Sequence, residues 1–235
     1  MKPPGWSFLK QVARSSRNAL RRVAPISGQF QTYSHTLPDR YPWLFRYAAS
    51  QLPASGNLRV LSFGCSSGEE VFALRRYFPQ AEIVGIDVNP KNIALCRWRA
   101  RRDGSEGLRF VTAASTEAER SNSYDAIFCL AVLCLGDLTV SGALHSDPHL
   151  YFEDFDAVLT DFARCLKPSG LLLLHTTNFR FCDTSIAQDF ETLLEAEPDQ
   201  MAPDVHFDRQ NQLLPGPRYR AVAFRKRTAA PSVPM

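Results

Sequence analysis

Residues 1–38 contain no acid; the first is Asp39. Lys2, Lys10, Arg14, Arg17, Arg21 and Arg22 alternate there with Trp6, Leu9, Val12, Leu20 and Val23 at roughly helical spacing. This is the pattern of a basic amphipathic helix, suited to a membrane surface or an acidic partner. Its acid-poor, Arg- and Ser-containing composition also has the look of an organelle transit segment, and it lacks the apolar stretch of a secretory signal. A run of about 18 apolar residues occurs nowhere, so no segment reads as a membrane-spanning helix. The six cysteines form no C-x-x-C pair, which argues against a zinc site and a disulfide framework alike. They read as small core hydrophobes of a reducing, cytoplasmic protein. A net charge of +3 is too small to argue for nucleic acid. Arg97, Arg99, Arg101 and Arg102 close a helix, where positive charge favours the dipole. Repeats and low-complexity tracts are also missing. What remains, 45% hydrophobic and 22% charged, is one globular domain over 39–227, after a basic extension (1–38) and before a tail (228–235).

The informative part is residues 58–71, LRVLSFGCSSGEEV, answered by residues 83–90, IVGIDVNP. The first reads as a buried parallel strand running into a glycine turn that opens a helix. The second reads as the next strand, with an acid at its carboxyl end. Gly64 and Gly68 let backbone approach a ligand, and Asp87, about 20 residues on, suits the hydroxyls of a ribose. Three details favour S-adenosylmethionine over a dinucleotide. The spacing is Gly64-x-x-x-Gly68, without the third glycine that seats a pyrophosphate. Glu69 and Glu70 occupy the first helical turn, where they repel phosphate but suit an ammonium or a sulfonium. Asn89-Pro90 starts a further helix directly after Asp87, with proline in its first turn.

The rest of the chain alternates strand and helix, as a mainly parallel sheet requires. Strands are expected near 58–63, 82–86, 108–112, 124–130 and 170–176. Helices are expected near 39–52, 68–77, 90–102, 151–166 and 184–196. Two terminal strands, 205–208 and 219–227, are expected to form an antiparallel hairpin about Pro215-Gly216-Pro217.

At these residues the chain resembles class I S-adenosylmethionine-dependent methyltransferases, over roughly residues 40–226. Its Gly-Cys-Ser-Ser-Gly-Glu-Glu turn is most similar to that of the chemotaxis-receptor methyltransferases. Residues 124–129 (YDAIFC), 166–172 (LKPSGLL) and 175–179 (HTTNF) look like the same family's fourth and fifth strands. The resemblance implies a Rossmann-like α/β fold: a seven-stranded, mainly parallel sheet with an antiparallel C-terminal hairpin and helices on both faces. It implies that Gly64, Cys65, Ser66 and Gly68 line the methionine end of the cofactor and that Glu69 or Glu70 meets its ammonium. Asp87 would hold the ribose and Val88 the adenine. The chain departs from the family where Ser62 replaces an acid before the first glycine. Ala114 likewise replaces the acid that grips the adenine amine, leaving Ser115 as a substitute. Ala131 stands where the chemotaxis-type enzymes have an asparagine after the fourth strand, leaving only backbone contacts from Leu130 and Ala131. These losses keep open a second class, a non-catalytic member of the fold that binds cofactor or a protein partner.

On the acceptor side, His175 at the end of the fifth strand has an imidazole suited to removing a proton near neutrality. A hydrogen-bonded structural histidine is the competing reading. Tyr33, His35, His145, His149 and Asn178 are expected to face the substrate. His145-x-Asp147-x-His149 has no fourth ligand, so the loop is read as a pocket wall, without metal. The acceptor is expected to be a small or sugar-like molecule. Asp87, as an unpacked strand-end carboxylate, is expected to contribute little to melting without ligand.

Overall fold

A computed structural model describes residues 30, 40–54, 56–202 and 204–228. Seven strands form one sheet: β1 Arg59–Phe63, β2 Glu82–Asp87, β3 Leu108–Thr112, β4 Tyr124–Leu130, β5 Leu166–His175, β6 Phe190–Glu195 and β7 Ala221–Lys226. Their order is β3-β2-β1-β4-β5-β7-β6. The first five run parallel, while β7 is antiparallel to both β5 and β6. The central strands are apolar on both faces, as a sheet covered by helices on both sides demands. Leu61, Phe63, Val84 and Ile86 pack on one face with Phe155, Leu159 and Phe162 of α5 (Phe152–Cys165). Val60 and Ile83 pack on the other with α1 (Pro42–Gln51), α2 (Glu69–Tyr77) and α3 (Pro90–Arg102). The expected seven-stranded α/β architecture is therefore the observed one.

The register lines up the carboxyl ends of the strands: Phe63 pairs with Ile86, Asp87 with Thr112 and Leu130 with His175. After β1 the chain builds outward through β2 and β3, then returns to place β4 on the other side of β1. That reversal opens a crevice outside the carboxyl ends of β1 and β4, where ligands of such sheets bind.

Two expectations about the C-terminal third fail. Residues 184–196 are not a helix: a single 3₁₀ turn, Ala187–Asp189, leads into strand β6. The sequence Phe-Glu-Thr-Leu-Leu-Glu is rich in helix formers, but pairing with β7 and burial override that weak preference. Phe181 stacks on Phe224 of β7 at 4.1 Å between centroids and meets Phe190 at 5.4 Å. Residues 205–208 are not a strand either; Phe207 makes only single bridges, to Phe179 and Leu213. The antiparallel pair is β6 with β7, and the Pro-Gly-Pro turn lies within the long connection between them. A short helix, α4 (Gly136–Ser141), forms in the segment expected to be loop. The proposed basic helix and the tail lie outside the described residues, apart from Phe30 and Thr228. Phe30 packs against the α5-side core.

Candidate functional site

The turn after β1 is built on left-handed backbone. Gly64 has φ +72°, Ser66 +49° and Gly68 +92°, and Gly68 caps α2. A Cβ on Gly64 would stand 2.4 Å from Val132, so glycine is required there for space as well as conformation. The Gly64 and Cys65 amides donate to the Ile86 carbonyl at 2.8 and 2.9 Å, which ties the turn to β2. Asp87 completes the tie. Its two carboxylate oxygens accept from the main-chain amides of Ser66 and Asn89, both at 2.8 Å, and from the Asn92 side chain at 3.2 Å. At 9% exposure Asp87 is part of the scaffold, contrary to the expectation of an unpacked strand end. Oδ2, which holds the Ser66 amide alone, keeps a lone pair for a ligand, while Oδ1 already accepts from both Asn89 and Asn92.

The adjacent acids take different roles. Glu69 pairs with Arg99 of α3 at 2.8 Å and accepts from Ser67, so its charge is neutralised between α2 and α3. Glu70 reaches back to β1 and accepts from the Ser62 hydroxyl at 2.7 Å. It thus brings a carboxylate to the strand position that lacks one. Burial pushes its carboxyl up to about 7, against the lowering effects of the Ser62 hydrogen bond and the Arg40 charge. The Ser66 hydroxyl is buried and has no hydrogen-bond partner among the described residues. Val88, Ala114 and Ser115 are half-buried around the carboxyl ends of β2 and β3. Leu130 and Ala131 are buried at the end of β4, where Ala131 adopts φ +57° and donates to the His175 carbonyl at 2.8 Å.

His175 is 3% exposed. Its Nε2 lies 3.0 Å from the Gln200 carbonyl and its Nδ1 2.7 Å from the Thr176 hydroxyl. A carbonyl only accepts, so Nε2 carries the proton and Nδ1 accepts from Thr176. The Tyr41 hydroxyl is bonded to Thr176 in turn, and the Tyr41 and Trp43 rings enclose the imidazole at 4.8 and 5.9 Å. Burial lowers the imidazole pKa, and Arg40 adds to that against the Gln200 hydrogen bond. These contacts describe a neutral, structurally engaged histidine, and they speak against its use as the base.

Asn178 is fully buried and acts as a clamp. Its side chain accepts from the Leu135 amide at 2.6 Å and donates to the Val205 carbonyl at 2.9 Å. That geometry contradicts the expected substrate contact, because both ends of the amide are occupied by main chain. His145 and His149 are exposed on the loop after α4, and neither lines the cavity beside β5. Tyr33 and His35 lie outside the described residues. Among the described residues no group of three His, Cys, Asp or Glu side chains is placed to hold a metal. The cavity beside β5 went unforeseen in the sequence: it is formed by Leu174, Thr176 and Thr177 against Met201, Asp204, His206 and Tyr219. Thr176, His206 and Tyr219 fall within three stretches expected to be strand, and Thr177 and Asp204 lie just outside them.

A family model described as a methyltransferase domain matches residues 54–214, more than half of the chain. The chain belongs to the methyltransferase family. The chain is 33% identical over 131 residues to a fatty-acid O-methyltransferase of Mycolicibacterium smegmatis, a match covering 55% of this chain and 40% of that protein. It is 26% identical over 133 residues to a ubiquinone biosynthesis O-methyltransferase of Xanthomonas oryzae pv. oryzae, covering 56% and 48%. The chain thus spans less than half the length of these curated relatives. The solved YcgJ protein of Bacillus subtilis superposes over 79% of this chain and 95% of that one, with a TM-score of 0.46 and 14% identity. At that distance the likeness carries no argument about chemistry.

Proposed function

We propose that this chain transfers a methyl group from S-adenosylmethionine to an oxygen of a small organic acceptor. The observation that carries the reading is the pair of carboxylates flanking the glycine turn, Glu70 drawn onto Ser62 and Asp87 holding Ser66. Glu70 would receive the ammonium of the cofactor and Asp87 the ribose diol. The Ser66 hydroxyl, unpartnered among the described residues, and the space kept by Gly64 fit a ligand lying across the turn. When bound, the cofactor supplies an electrophilic methyl on a sulfonium. The chain's own part is alignment, which alone can supply several kcal/mol. Val88, Ala114 and Ser115 would wall the adenine, and Leu130 and Ala131 would present backbone toward the reacting end. His175 would hold Thr176 and Tyr41 in place without taking a proton. Oxygen as acceptor atom is carried over from the names of the two relatives. The turn's likeness to chemotaxis-receptor enzymes is extended only to cofactor contacts. The six cysteines, five of them buried and all free, support a reducing, cytoplasmic setting.

Calorimetry with S-adenosylhomocysteine and NAD tests the cofactor, and a metabolite screen with labelled methyl donor tests turnover. Micromolar NAD binding with no adenosyl response would sink the reading. Cofactor binding without turnover of any metabolite would leave the non-catalytic member of the fold.

A further inference from the structure

One helix turns large apolar side chains outward. On the sheet side of α3 lie Ile93, Cys96 and Ala100, which pack it into the core. On the opposite side Lys91, Leu95, Trp98 and Arg102 fall at i, i+4, i+7 and i+11, a single helical stripe. All four are exposed, Leu95 at 43% and Trp98 at 51%. The core makes no use of them. The stripe starts at the ligand end of the sheet, because the Lys91 amide donates to the Asn89 side chain and the Asn89 amide to Asp87.

The charge on this helix is of one sign. Between Asp87 and Glu106 the chain carries five cations and one acid, Asp103. Arg99 is turned inward onto Glu69, and Arg102 pairs with Asp103 at 2.7 Å. Lys91, Arg97 and Arg101 are exposed and have no carboxylate partner among the described residues. Arg97 donates to the Phe110 carbonyl at 2.7 Å, which fixes the guanidinium and leaves its charge uncompensated. Arg102 also lies over the Trp98 ring, 4.8 Å from its centroid. Three uncompensated cations therefore flank an indole and a leucine on one outward helix face.

We propose that this face of α3 docks on an anionic lipid bilayer. Trp98 and Leu95 enter the acyl boundary, and Lys91, Arg97 and Arg101 meet headgroup phosphates. Indole favours the membrane interface and cations an anionic leaflet, and a preformed helix lying flat presents both at once. Single-stranded nucleic acid fits less well, because it requires a groove and open aromatic faces, and Arg102 covers one face of Trp98. A partner helix would require an apolar groove, which the outward flank of one helix does not form. A second copy of the chain would bring like charges together. The docking stands independently of the methyl-transfer reading and sets the ligand end of the sheet beside the bilayer.

The test is co-sedimentation of the full chain with vesicles of mixed phosphatidylglycerol and phosphatidylcholine, against phosphatidylcholine alone. Partitioning is expected to be about tenfold or more stronger on the anionic vesicles and to weaken as salt rises. Lys91→Gln with Arg101→Gln should lower it by roughly fivefold per cation removed. Leu95→Ser with Trp98→Ser should lower it by about tenfold or more. All four positions are exposed, and a retained cooperative melt checks that each variant is folded. Brominated acyl chains should quench the tryptophan emission of the parent more than that of Trp98→Phe, which keeps an apolar ring. Equal partitioning on the two kinds of vesicle overturns the proposal. So do variants that partition like the parent, since residues 1–38 would then carry the contact. Loss in the charge variant alone, with equal quenching in the parent and Trp98→Phe, overturns the bilayer in favour of an acidic protein or a nucleic acid.

Discussion

The Asp87 carboxylate accepts from the Ser66 and Asn89 amides before any ligand arrives. Asp87→Ala is therefore expected to lower ligand-free stability by about 1–3 kcal/mol, because it strands two amides beside a nearly closed site. That corresponds to a fall of several degrees in melting temperature, at about 2–4 °C per kcal/mol for a chain of this size. Cofactor affinity should drop by about one to three orders of magnitude as well. A variant that binds as well as the parent would place the ribose elsewhere. Glu70 gives a pH signature. Its carboxyl sits at about 7 when folded, against an ordinary value of 4.5, so the folded chain holds that proton more tightly than the unfolded one. Ligand-free stability should fall as pH rises from about 4.5 through 7, and Glu70→Gln should remove that slope. An incoming ammonium requires the charged carboxylate, so cofactor affinity should weaken by up to about tenfold per pH unit below 7. Calorimetry in buffers of different ionisation heat should then show proton release at pH 6 that is missing in Glu70→Gln.

At the scale of elements, the parallel half of the sheet could be read from the chain because each strand is a short apolar block bounded by turn residues. The glycine turn and Asp87 were legible for the same reason: their spacing follows from the strand–turn–helix geometry they serve. β6 was not legible, since Glu191, Leu193, Leu194 and Glu195 are good helix formers held extended by β7 and the Phe181–Phe224 stack. Nor was the swap of an acid from β1 to α2, which depends on Glu70 folding back eight positions onto Ser62. The role of Asn178 was misread because its partners, Leu135 and Val205, are distant in sequence. Asn178 joins the segment leading into α4 to the connection before β7. Asn178→Ala should cost about 2–4 kcal/mol by stranding an amide and a carbonyl in a buried site. Asn178→Asp should be no better, because the carboxylate cannot donate to the Val205 carbonyl. Denaturant unfolding would check both, and unchanged midpoints would show that the clamp is dispensable.

Across the whole molecule, ligand chemistry and anchoring lie at opposite ends of the strands. At the amino edge, Glu119 is 8% exposed and gathers Arg59 of β1, Arg109 of β3 and the Tyr124 hydroxyl of β4 at 3.2, 2.7 and 2.7 Å. Burial would raise its pKa, but the hydrogen bonds from Arg109 and Tyr124 and the charges of Arg109 and Arg59 hold it below the ordinary value. Its contribution is thus present above about 4.5 and is lost as pH falls through the depressed value. Glu119→Gln should destabilise by about 1.5–3 kcal/mol near neutrality and leave the cofactor dissociation constant unchanged, because no part of the glycine turn touches it. A changed affinity would show that the two edges communicate. Residues 1–38 belong to this scale too, as the proposed contact to a membrane surface or an acidic partner. Removing residues 1–24 should leave cofactor binding intact, and an insoluble truncated chain would show that the segment is needed by the core.

Ala131 and Thr176 end neighbouring strands in left-handed backbone, at φ +57° and +58°, where residues with a side chain sit at a cost. For laboratory evolution this makes the crevice the softest target for stabilising change. Ala131→Gly relieves strain at a position that sets the backbone around the reacting end, whereas Thr176→Gly would also strip the hydroxyl that serves His175. Selection for heat resistance alone would drift toward such substitutions and select catalytically slack proteins. A screen of this scaffold has to score turnover and melting together.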